Sequence, residues 1–201
     1  MGGRRSGRPS SPHPICMTLK RTTTTTYTDV VSLASAKLHL RVDHTDDDEL
    51  IQVLIRAAGE VVEEYTGTYL ASNNWTYYLD RFYDIMRIPV GPEATVSRVK
   101  YTDSTGTEQT VSTADYYTDL ASYPIRIQLE EDPTDVDDRV NVVEINGSAG
   151  YTTAPNALVQ AMLLIIGHLY EHRKDVTMGV NAQQLPLGAR YLMDKHRKAA
   201  I

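Results

Sequence analysis

The hydrophobic period changes twice along this chain, and that change limits the folds open to it more than any single motif does. Residues 32–66 and 155–174 carry apolar side chains at helical spacing, whereas residues 75–151 alternate apolar and polar in short runs bounded by turn formers. A chain ordered helix, sheet, helix is expected to be α+β, with a small α-helical bundle core, an inserted antiparallel β domain and a C-terminal arm. The expected divisions are a disordered or extended N-terminal leader over 1–27, a helical core over 28–72 and 153–178, a β-rich insertion over 73–152, and an arm with a short helix over 179–201.

Ser32 is placed to cap a short helix whose apolar stripe is Leu33, Ala36, Leu38 and Leu40, ending near Val42. Asp46, Asp47, Asp48 and Glu49 then stand at the start of a second helix, where acids suit the positive end of the helix dipole. Asp46 and Glu49 have the spacing of a capping-box variant. A calcium loop would need alternating oxygen ligands and a glycine turn, which this contiguous run lacks. Ile51, Leu54, Ile55, Ala58, Val61, Val62 and Tyr65 hold the helical period as far as Gly67, a C-terminal cap. Glu60, Glu63 and Glu64 crowd the last turns, where the dipole disfavours anions. They read either as a solvated face or as a contact with a basic surface of a neighbouring subunit.

In the middle segment, Trp75, Tyr77 and Leu79, then Val99 and Tyr101, then Ile125, Ile127 and Leu129, mark strands; a last one uses Val140 and Val142, or Val143 and Ile145. Residues 103–107 read as a turn and 130–138 as an acidic loop. Thr153 is a candidate cap for the next helix, with Pro155 in its first turn. That helix is apolar nearly all round, so it is expected to be buried on several sides. A short amphipathic stretch from Leu185 ends in the basic run Lys195, His196, Arg197 and Lys198 and is expected to be a free arm without a core of its own.

Chemistry is sparse along this framework. The 201 residues carry a net charge of −6, which disfavours a protein whose task is to grip nucleic acid electrostatically. The basic ends, Arg4, Arg5 and Arg8 with Lys195, Arg197 and Lys198, keep open a small DNA-binding or packaging-associated protein. The single Cys16 forms no intrachain disulfide, and the longest apolar run, 161–166, falls far short of the roughly 20 residues of a membrane span. His168 and His172 have the letters H-x-x-E-H, in which two histidines a helical turn apart can hold zinc for a hydrolase. No glutamate follows His172 to serve as a third ligand. Their other reading is as polar groups at the solvated end of a buried helix. No phosphate-cradling glycine loop and no nucleophile elbow occur, and no catalytic residue, metal or cofactor is expected.

Three segments together resemble the head-to-tail connector (adaptor) proteins of tailed bacteriophages, including the gp6-like and phiE125 gp8-like groups. Residues 31–43 with the acid run and Leu50-Ile51 look like the family's N-terminal helix pair, and residues 63–67 like its usual helix ending. Residues 163–173 are similar to its central helix, and 185–192 to its C-terminal signature. The resemblance implies a non-enzymatic virion protein, made in the host cytoplasm. It is expected to form a ring, typically of twelve copies, between portal and tail, completing the head and extending the DNA channel. The implied partners are the portal protein, tail or head-completion proteins, further copies of the chain, and genomic DNA passing through without specific binding; no membrane is involved. Residues Leu185, Pro186, Leu187, Arg190, Tyr191, Leu192, Lys195, Arg197 and Lys198 are then candidates for docking on the portal, and Glu60, Glu63 and Glu64 for contact between subunits. An acidic subunit repeated around a ring would give a lumen that repels phosphate.

Overall fold

The computed structural model describes residues 18–22, 26–172 and 185–198. The fold is α+β: four helices and two antiparallel sheets. Strand β1 (Thr18–Arg21) is followed by a 3₁₀ turn at Tyr27–Asp29, helix α1 (Leu33–Leu40) and helix α2 (Asp48–Thr66). Strands β2 (Asn73–Leu79), β3 (Met86–Ile88), β4 (Thr95–Thr102), β5 (Glu108–Val111), β6 (Tyr116–Asp119), β7 (Ile125–Leu129) and β8 (Val143–Ala149) come next, then α3 (Asn156–Glu171) and α4 (Leu187–Asp194).

One sheet has five strands in the order β1-β2-β8-β4-β5 and the other three in the order β3-β7-β6. Strand alternation sends Trp75, Tyr77 and Leu79 of β2 and Val143 and Ile145 of β8 to the same buried cluster as Ile125, Ile127 and Leu129 of β7, so the two sheets share one core. Gly147 is required there: a Cβ would lie 2.0 Å from the Thr95 carbonyl oxygen and 2.5 Å from the Trp75 ring. Strands β2 and β8 pair along their full length, with Asn73 opposite Ala149, so this segment enters and leaves the sheet at one point. The helices bury a second cluster that includes Ile51, Ile55, Val62, Leu158, Met162 and Ile166.

Several expectations are met in detail. The Ser32 hydroxyl accepts the Ser35 N–H at 3.2 Å, and Gly67, at φ 65°, caps α2 by donating to the Glu63 carbonyl. The 103–107 turn is organised by the Asp103 carboxylate, which accepts the Thr105 hydroxyl, the Gln109 amide and the backbone N–H groups of Thr105 and Thr107. Those bonds, the two side-chain donors first, pull its pKa down to about 2.

Others are corrected. The leader is not free throughout 1–27, because β1 pairs with β2 and Tyr27 is buried against α2. The capping box of Asp46 and Glu49 does not form: Asp47 takes the cap position, with no side-chain cap bond. The two acids between them have tertiary partners: Asp47 accepts from the Tyr170 hydroxyl at 2.6 Å and Asp48 pairs with Lys37 at 2.6 Å. Helix α3 starts at Asn156 with Pro155 at the cap, not Thr153; a proline forces the residue before it into extended backbone. Of the two readings of the last strand, the one through Val143 and Ile145 holds, because Asn141 is left-handed (φ 57°) and donates its N–H to Asp80, which leaves Val140 75% exposed. The C-terminal arm does have a core: Ala189 and Met193 are fully buried against α2 and α3.

Candidate assembly surfaces

The three glutamates at the end of α2 separate by helical phase. Glu60 and Glu64 face solvent, and no ion pair engages them among the described residues. Glu63, one residue before Glu64, turns inward and is 7% exposed. Its carboxylate accepts from Arg21 at 2.6 Å, from the Tyr27 hydroxyl at 2.9 Å and from the Leu70 N–H at 2.8 Å. Glu63 therefore ties β1, the 3₁₀ turn and the entry to β2 onto α2, and it is not presented to a neighbour. Burial pushes the Tyr27 phenol above its usual pKa, keeping it a donor. Alternation over 18–21 is the signal that could have revealed β1; the threonine run obscures it.

Beside this knot lies an open cleft of about 470 Å³. Glu60 and Glu64 form its acidic rim, and Tyr69, Val90 and Tyr123 its apolar wall. The Arg21 guanidinium covers the Tyr69 ring at 4.4 Å and the Lys198 ammonium lies 5.5 Å from the Tyr123 ring centre. Nothing in the sequence pattern brings Tyr69 and Tyr123 together, because they come from a helix–strand link and a strand–strand link.

Helix α4 packs on the chain's own α2 and α3. Its Asp194 accepts the Tyr65 hydroxyl at 2.6 Å, and the Lys198 N–H reaches the Thr66 carbonyl at 2.8 Å. Of the residues expected to dock on a portal, Leu185, Pro186 and Leu192 are half-buried. Leu187 is 80% and Tyr191 66% exposed, one turn apart, and Arg190, Lys195, Arg197 and Lys198 are exposed beside them. Arg197 stacks over Tyr65 and Lys195 over Tyr191. The basic residues Arg4, Arg5 and Arg8 lie outside the described residues.

His168 and His172 sit at the exposed end of α3 with ring centres 4.5 Å apart, and the His172 Nδ1 lies 2.9 Å from the His168 carbonyl oxygen. Among the described residues no group of three or more His, Cys, Asp or Glu side chains converges as a metal site. No helix among them is long and apolar enough to cross a membrane. The remaining perturbed acids are structural: Asp119 is brought down to about 2 by the Ser122 hydroxyl and then by Arg126.

A family model described as phage gp6-like head-tail connector protein matches residues 30–197. No curated protein matches the chain. Among solved structures, a chain in the virion of a native gene transfer agent particle is similar in fold, with TM-score 0.73 and 24% identity over 91% of this chain and 96% of that one. A chain in the neck of the empty particle, computed with C6 symmetry, has TM-score 0.71 and 26% identity over 92% and 97%. One in the neck of the native particle, computed with C12 symmetry, has TM-score 0.69 and 25% identity over 92% and 97%.

Proposed function

The chain belongs to the phage gp6-like head-tail connector family, and from that membership we infer that it is a structural adaptor of the virion neck. The observation that carries this is the family match over 30–197, supported by the likeness to chains in two particle necks. The protein works by shape and contact rather than by catalysis. Twelve copies form a closed ring between portal and tail; the twelve-fold neck of the similar native particle supports this. Heterologous contacts satisfy every subunit only when the ring closes.

The exposed stripe of Leu187 and Tyr191, flanked by Arg190 and Lys195, is the part of α4 that docks on the portal, in the manner of an amphipathic helix entering a groove. Arg197 and Lys198 flank it, and Leu185, Pro186 and Leu192 seat it on the subunit. Glu60 and Glu64 meet a basic surface of the adjacent subunit. Genomic DNA passes through the lumen without specific binding, and the net charge of −6 per copy favours repulsion of phosphate. Tail or head-completion proteins meet the opposite rim.

Cryo-electron microscopy of intact particles tests the reading. A ring of this chain between portal and tail is expected; its absence from the neck would overturn the assignment. A strongly basic lumen in that ring would remove the repulsion argument alone.

A further inference from the structure

We propose that Leu38 and Arg41, at the end of α1, insert into the cleft beside Glu60 and Glu64 of the next copy of this chain, forming the head-to-tail joint of the ring. The inference rests on the ring reading above and names the surfaces that make it. Leu38 is 82% exposed, whereas Ala36 of the same helix is buried and Leu33 and Leu40 are half-buried. Arg41, three residues on, is exposed and held by a left-handed backbone (φ 57°) with no ion pair among the described residues. Together they make an apolar knob with one cation beside it.

The cleft has the complementary chemistry. Leu19, Pro89 and the edges of the Tyr69 and Tyr123 rings, whose faces meet Arg21 and Lys198, offer apolar wall to a leucine, while Glu60 and Glu64 offer two carboxylates, unpaired among the described residues, to a guanidinium. Its volume of about 470 Å³ holds such a side chain with room to spare. The knob and cleft of one copy cannot meet. Lys37, next to Leu38, pairs with Asp48 at the first turn of α2, whereas the cleft lies at the last turns of the same helix. Glu64 lies sixteen positions after Asp48, about 24 Å along a rigid helix. Complementary surfaces at opposite ends of one rod make a heterologous contact, which generates rings when the rotation closes.

The test uses the full chain with Cys16→Ser, carrying Leu38→Cys and Glu64→Cys together or singly, assembled into particles and treated with a bis-maleimide. Both substituted positions are exposed, so folding is spared. The double variant should give a ladder extending beyond dimers, and each single variant should stop at dimers. As a second measurement, Arg41→Glu should weaken self-association about tenfold or more, and combining it with Glu64→Arg should restore part of the loss. If particle images show the neck ring but the double variant gives no ladder beyond the single ones, the joint is wrong and the ring reading stands. If the chain is absent from the neck, the proposed function falls and the joint with it.

Discussion

Glu63→Ala should destabilise the subunit by about 3–4 kcal/mol. The estimate follows from what the carboxylate serves. Truncation leaves the Tyr27 hydroxyl and the Leu70 N–H without an acceptor, both in buried bonds, at about 1–3 kcal/mol each. Arg21 is 31% exposed and can turn to water, so its loss adds under about 1 kcal/mol. Glu63→Gln keeps an acceptor oxygen for the Leu70 N–H, while its NH2 replaces the oxygen that Tyr27 and Arg21 share; the Tyr27 hydroxyl can turn to accept from that NH2, so the variant should cost about 1–2 kcal/mol, less than alanine. Urea unfolding read by Trp75 is the assay, since this only tryptophan is 1% exposed in the β core. The midpoint should fall with little change in slope. Amide exchange at Leu19–Arg21 should quicken in both variants, more in the alanine one. An alanine cost below about 1 kcal/mol, or equal costs for the two variants, would show that Glu63 is not the tie described.

Other outcomes follow from neighbouring features. Met193→Ala should cost about 2–4 kcal/mol in the same unfolding assay because Met193 is fully buried, while Leu187→Ala and Tyr191→Ala should stay within about 0.5 kcal/mol yet weaken co-purification with the portal protein. Asp103 has a folded pKa of about 2, below its unfolded value, so its stabilisation is present above about pH 4 and is lost as pH falls toward 2. Asp103→Asn should therefore flatten the fall of the melting temperature over that acid range, and an unchanged profile would refute its role. Gly147→Ala should fail to fold or unfold far earlier by circular dichroism, because its Cβ has no room beside Thr95 and Trp75. Metal analysis tests the hydrolase reading of His168 and His172, which stoichiometric zinc in the purified protein would revive.

Much of this architecture could be read from period alone, because burial imposes it locally. Helix α2 has a seven-residue apolar stripe at helical spacing, and β7 alternates without interruption, as does β2 but for Thr76. What escaped was set by distant partners. Asp47 sits at the cap with backbone angles (φ −97°, ψ 4°) outside the extended region and gives no cap bond; one of its carboxylate oxygens meets Tyr170, far along the chain. Glu63 looks like its neighbours Glu60 and Glu64 in sequence and differs only in which side of the helix meets Arg21 and Tyr27. The short α4 carries Leu187, Ala189, Tyr191, Leu192 and Met193 on more than one side, and only the groove that α2 and α3 provide selects Ala189 and Met193 for burial while Leu187 and Tyr191 stay exposed. The cleft was hidden for the same reason: Tyr69 and Tyr123 are 54 positions apart in the numbering and share a wall only after the sheets form.

The pairing of Asn73 with Ala149 makes the β segment a cassette. Its two ends emerge side by side, so a different sandwich, or one with longer loops at 103–107 or 130–138, can be spliced between α2 and α3 without respacing the helices. The one condition is that a replacement must still offer an edge to Thr18–Arg21, because Arg21 carries its pairing with β2 and its contact with Glu63 at once. A lineage could thus change the surface the β segment presents while leaving the helical frame untouched, and a designer could graft a new binding module at the same seam.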